Sequence, residues 1–180
     1  MLNRFGYIDS NPSPTPYDPS LVLRKNKRIG KDHLRYSQIV GSLMYLSSAT
    51  HPDISFVVSK LSRFSANSGN DHWCGIDCVM RYLKGTMSHG IHYSVYPSVL
   101  EVYSDSNWIT NADEMKATSG YIFTLGGGIV SWRSCKLTIL TKSTMETELT
   151  DLDTTYIEDE WLRELLMDLL WLRNQFLPFS

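Results

Sequence analysis

The sequence predicts an α+β fold: a helical front half, then an antiparallel sheet, then a long closing helix. Three observations carry this reading. From Tyr36 to Gly85, apolar residues recur at three- and four-residue spacing, the period of a helix with one buried side. From Gly90 to Leu140 the pattern changes to short alternating or β-branched runs, broken at Pro97-Ser98 and Gly126-Gly127-Gly128, as in hairpins. Helical spacing returns after Ser143 and runs towards the end of the 180 residues.

Residues 9–20 hold four of the seven prolines and read as an extended arm or linker. A first helix begins at Tyr36, with Ile39, Val40, Leu43, Met44 and Leu46 suited to its buried side. A second carries Ile54, Val57, Val58, Leu61 and Phe64 in one stripe. Pro52 suits its first turn, Asp53 its positive end, and Thr50 or His51 its cap. A third opens near Asn70 or Asp71, turns Trp73, Ile76, Met80 and Leu83 inward, and stops at Lys84-Gly85. Strands are expected at 90–96, 100–105, 120–125 and 128–134, with 137–140 as a further one. The final helix opens on Ser143-Thr144-Met145-Glu146, a capping-box spacing. Met145, Leu149, Leu152 and Tyr156 then form one stripe, which Trp161, Leu165, Leu166 and Leu169 continue after a break near 154–157.

Composition excludes several classes. Hydrophobic residues make 42% and charged residues 20% of the chain, so wholesale disorder is not expected. Three Cys cannot build a disulfide framework, which points to no disulfide and a reduced, intracellular compartment. No run of eighteen apolar residues occurs, so no membrane span is expected, and the first residues lack the apolar stretch of a secretory signal. The net charge of −2 hides an asymmetry. Residues 1–100 hold 11 Lys/Arg against 6 Asp/Glu, and residues 101–180 hold 6 against 13. Such a split suggests two parts with different tasks.

Four sets of residues bear on chemistry. Arg24, Lys25, Lys27, Arg28, Lys31 and Arg35 form a basic stretch that either contacts phosphates or is a solvated loop without interleaved aromatic residues. Cys74 and Cys78 share a helix face, but a structural zinc site needs four ligands, so core thiols are the better reading. Gly126-Gly127-Gly128 lacks the Lys-Ser/Thr and helix that phosphate binding requires, and reads as a turn. The five histidines show no shared site. Asp105 ends a strand and Glu148 lies in the first turns of the last helix. Carboxylates so placed could share a divalent cation of the kind used for in-line phosphoryl chemistry.

The local motifs add a resemblance. RYSQIVGSLMYLSSATHPDISFVVSKLSRF (35–64) and DHWCGIDCVMRYLKGTMSHGIHYS (71–94) resemble the helical segment after the polymerase core of copia-type LTR retrotransposon polyproteins. YSDSNW (103–108), KATSGYIFTLGGGIVSW (116–132) and KSTMETEL (142–149) resemble the opening of their ribonuclease H domain. The stretch Pro14–Leu21 also has a near match there. The resemblance implies an extended arm over 1–33, a helical connection over 34–86 and a truncated ribonuclease H-like sheet with its helix over 87–180. It implies a family activity, hydrolysis of RNA in RNA–DNA hybrids within reverse transcription, and two Mg²⁺ ions held by an acidic cluster. By residue, it places the first acid at Asp105 and the second at Glu148, with Glu146 as runner-up. Asp151, one turn beyond Glu148, departs from the usual small apolar residue and could add a ligand. A third acid in a C-D-N motif and a fourth further on are missing from the chain. The resemblance therefore implies a catalytically incomplete copy, an RNA–DNA hybrid or other nucleic acid as partner, and a sheet that another chain could complete. Short copia-like chains also resemble secreted RxLR-type effectors, so a repurposed interaction protein is the alternative, although neither an R-x-L-R motif nor a signal peptide occurs.

Overall fold

In the computed structural model, residues 1–30, 32–94, 99–111, 116–137 and 143–176 are described, with the backbone alone at 107–111, 116 and 171–176. A one-turn helix α1 (Leu2–Phe5) precedes α2 (His33–Ala49), a 3-10 turn (Pro52–Ile54), α3 (Ser55–Ser62) and α4 (Asn70–Gly85). Strands β1 (Glu101–Asn111), β2 (Lys116–Leu125) and β3 (Gly128–Lys136) follow, and α5 (Thr144–Phe176) closes the chain. The α+β architecture is the expected one.

The helical half is built as its periodicity dictates. Tyr36, Ile39, Val40 and Leu43 of α2 meet Ile54 and, from α3, Val57, Val58 and Leu61. Ile76, Val79, Met80 and Leu83 of α4 complete this core. Each fully buried side chain of this kind contributes about 1.5–3 kcal/mol from its removal from water. The Tyr36 hydroxyl stays satisfied by donating to the Leu61 carbonyl at 2.9 Å. Its ring meets Trp73 edge-on at 5.5 Å. Helix α2 starts three residues earlier than the sequence predicts, because Asp32 caps it by accepting the Arg35 N–H at 3.4 Å. The proline-rich arm is docked rather than free. Arg81 Nε donates to the Asn11 carbonyl at 2.7 Å, and Ser13 N–H to the Arg81 carbonyl at 3.2 Å.

The sheet is an antiparallel meander, β1-β2-β3. Gly126 and Gly127 join β2 to β3 with φ of 61° and 74°, backbone angles that glycine adopts without a Cβ penalty. The expected strand at 90–96 is not found at 90–94, and 95–96 lie outside the described residues. That segment crosses the end of the hairpin instead. Ser94 N–H donates to the Gly126 carbonyl at 2.6 Å, and the Tyr93 hydroxyl to the Ile129 carbonyl at 2.9 Å. The expected strand at 137–140 also lies almost wholly outside the described residues.

Alternation along β2 sends Ser119, Tyr121 and Phe123 to one face and Thr118, Gly120 and Ile122 to the other. The first face carries α5, where Leu162 packs on Tyr121 and Phe123. The second turns to the helical half, where Arg63 donates to Thr118 Oγ1 at 3.5 Å and Trp132 Nε1 to the Ser47 carbonyl at 2.6 Å.

Helix α5 runs 33 residues without the expected break, about 50 Å at the rise of an α-helix. The threonines near the expected break are accommodated by bonds to carbonyls one turn back, Thr154 to Thr150 at 3.0 Å and Thr155 to Asp151 at 2.8 Å. The apolar stripe is not the side that meets the sheet. The residues against the sheet are Thr147, Asp151, Thr155 and Leu162, while Met145, Leu149, Leu152 and Tyr156 are exposed.

Candidate nucleic-acid interface

The basic stretch is not a loose loop. Asn26 Nδ2 donates to Asn67 Oδ1 at 3.2 Å and to the Ser68 carbonyl at 3.3 Å, while Asn67 Nδ2 donates to the Asn26 carbonyl at 2.9 Å. The Arg28 N–H closes a turn on Asn26 Oδ1 at 3.0 Å. This amide clasp pins residues 24–28 beside the start of α4, leaving Arg24, Lys25, Lys27 and Arg28 exposed on a half-buried Asn26. A cleft of about 400 Å³ lies between them and Gly69, Asn70, Asp71 and His72. The α4 end facing it carries the positive pole of the helix, and its N-cap, Gly69, has no side chain to cover it. His72 reaches back to accept the Gly69 N–H at Nδ1, 2.7 Å away, and stacks on Phe64 at 4.1 Å. Burial pushes its pKa down, which favours the neutral ring. Asp71 is the one acid in the cleft lining and offsets part of the positive charge.

Two further cations join the patch from elements far off in sequence. Lys136, at the end of β3, has its pKa lowered by burial and then by Arg63 and Lys25. Arg63 follows α3 and is itself held on the sheet by Thr118. Positive charge from the arm, the helical half and the sheet thus acts on one region. Sequence reading missed Arg63 and Lys136, because no local pattern unites them with residue 25. Of the other expected members, Arg35 is turned to α1, its Nη2 donating to the Phe5 carbonyl at 3.5 Å, and Lys31 lies outside the described residues.

The acids named by the sequence sit on β1 and α5. Asp105 pairs with Gly120 and Ser106 with Ser119 in the β1–β2 register. Ser119 donates a short hydrogen bond to Asp151 on α5, so Ser106 and Ser119 share the α5 face and Asp105 projects from the opposite one. Exposed Asp105 lines a cleft of about 480 Å³ with Phe56, Tyr103, Gly120, Ile122 and Trp132. Glu148 is exposed on the edge of α5, and Glu146 points further outward. Asp105 thus stands on β1 and Glu148 on the helix packed against that strand. Among the described residues, no group of three His, Cys, Asp or Glu side chains converges as a metal site. Asp105 and Glu148 are fewer carboxylates than two bridged Mg²⁺ ions call for, so no catalytic step is derived through such ions.

The buried acid of α5 is Asp151, 2% exposed. Burial raises its pKa, the Ser119 hydrogen bond opposes this, and the negative charge of Asp105 adds to the rise. The folded chain therefore holds the Asp151 proton to higher pH than the unfolded chain does. This contribution to stability is present below the ordinary carboxylate range, near pH 4, and is lost as pH rises through the raised value. Asp151→Asn keeps an acceptor for Ser119 and removes the titration. The variant is expected to gain stability relative to the parent between pH 4 and pH 7 in urea denaturation, and a constant difference across that range would contradict this assignment.

Other residues take structural places. The core-thiol reading of Cys74 and Cys78 is corrected: Cys74 is exposed, and Cys78 donates to the Thr15 carbonyl of the docked arm at 3.4 Å. Among the described residues, no helix is long and apolar enough to cross a membrane.

Comparison with known proteins supplies the family. The chain is 33% identical over 94% of its length to the retrovirus-related Pol polyprotein from transposon TNT 1-94 of Nicotiana tabacum, and covers 13% of that protein. It is 36% identical over 94% of its length to the Pol polyprotein from transposon RE2 of Arabidopsis thaliana, of which it covers 12%. It is also 37% identical, over 71% of its length, to secreted RxLR effector protein 161 of Plasmopara viticola, of which it covers 90%. No protein-family model matches the chain, and no solved structure does so significantly. The chain thus spans about an eighth of the Pol polyproteins it matches, and it belongs to the retrovirus-related Pol polyproteins of copia-type transposons.

Proposed function

We propose that this retrotransposon-derived chain is a non-enzymatic nucleic-acid-binding element that grips the phosphate backbone through its basic patch. The observation that carries the reading is the amide clasp between Asn26 and Asn67, which fixes Arg24, Lys25, Lys27 and Arg28 around the start of α4. Ordering these side chains' backbone in advance lowers the entropic cost of placing them on phosphates. Arg63 and Lys136 add positive charge near Lys25. Such contacts read charge spacing rather than base sequence, so the partner class is a duplex or an RNA–DNA hybrid without sequence preference.

The fit is local, and so is its test. Titration of isotopically labelled chain with a 16-base-pair RNA–DNA hybrid is expected to shift the backbone amide resonances of residues 24–28 and Asn70–His72. Smaller shifts are expected at Arg63 and Lys136. Shifts confined to α5, or none at saturating hybrid, would overturn the reading.

A further inference from the structure

Helix α5 carries its most apolar stripe on the side away from the sheet. Met145, Leu149, Leu152 and Tyr156 are 69%, 60%, 55% and 59% exposed, whereas Thr147, Asp151 and Thr155 opposite them are 0%, 2% and 5% exposed. A stabilising helix ordinarily turns the greasier side inward, and contiguous exposed apolar side chains on a folded chain mark an interaction surface. The spacing of the stripe is four, three, four, which is the seam of a helix that packs lengthwise on another helix. Its borders are acidic: Glu148 on one side, and Glu146, Asp153 and Glu160 on the other. No Lys or Arg occurs from residue 143 to residue 162.

We infer that the Met145–Tyr156 stripe docks a basic amphipathic helix of a partner protein, its apolar seam on Leu149 and Leu152 and its Lys/Arg flanks against Glu146, Glu148, Asp153 and Glu160. Charge complementarity selects this occupant. A second copy of the chain would bring acidic border against acidic border, a like-charge contact that opposes pairing. An anionic nucleic acid or an anionic lipid surface is repelled by the same borders. The surface is separate from the basic patch, so the inference does not rest on nucleic-acid binding.

The test uses the full chain and a fluorescein-labelled 18-residue peptide with Leu at helical positions i, i+3, i+4 and i+7 and Lys elsewhere, read by anisotropy. One-to-one binding that weakens with salt is expected, with no binding of the same peptide carrying Glu in place of Lys. Leu149→Gln with Leu152→Gln, both exposed and so compatible with folding, is expected to weaken binding by about tenfold or more. Glu148→Gln with Asp153→Asn should weaken it less and flatten its salt dependence. Replacing Arg24, Lys25, Lys27 and Arg28 by Gln should leave peptide binding unchanged. Absence of peptide binding, or binding indifferent to the leucine substitutions, would overturn the inference. So would sedimentation of the free chain as a dimer that those substitutions dissociate, which would give the stripe to a second copy.

Discussion

Leu61→Ala is expected to lower the unfolding free energy by about 2–5 kcal/mol, the range for emptying a buried leucine site. Leu61 is 0% exposed and sits where all three core helices meet. Its Cδ2 lies 2.9 Å from where a Cβ on Gly75 would stand, so α3 and α4 approach as closely as a glycine permits. Gly75→Ala alone is therefore expected to destabilise by about 1–3 kcal/mol through overpacking. Made together, the two changes partly cancel, because the new methyl group enters the cavity that the leucine leaves. A double-mutant cycle by urea denaturation should show coupling of about 1 kcal/mol or more. Additive losses would mean that Gly75 does not set the α3–α4 distance.

Changing Arg24, Lys25, Lys27 and Arg28 together to Gln is expected to reduce affinity for an RNA–DNA hybrid by about 10–100-fold near 100 mM salt. The four side chains are exposed, so the substitution changes charge and leaves the core intact. Asn26→Ala makes a sharper version of the same argument. It removes no charge but opens the clasp to Asn67 and Ser68, so affinity should fall while the salt dependence stays close to that of the parent. Loss of affinity in both variants separates placement of the cations from their mere presence.

Much of this architecture was legible in the sequence, and the exceptions share a cause. Helices α2, α3 and α4 follow from apolar spacing, and the β2–β3 turn from Gly126-Gly127, because those signals are local. The stripe of Met145, Leu149, Leu152 and Tyr156 was legible as a stripe, but which side of α5 meets the sheet was not, since only tertiary packing shows the stripe outward. Asp105 was legible as a strand residue, but its face depends on register with Gly120, and one residue of slip would reverse it. The clasp between Asn26 and Asn67 spans 41 residues, and the meeting of Lys25, Arg63 and Lys136 is equally non-local. No window along the chain contains either.

The measurement that bears most directly on the central claim is the slope of log affinity against log salt for an RNA–DNA hybrid, taken for the parent and for the four-Gln variant. If the clasped loop holds phosphates, each lost contact removes about 0.7–0.9 from the slope, so the variant's line should be flatter by about 2–4. Parallel lines for the two proteins would mean that residues 24–28 do not touch the nucleic acid, and would contradict the account.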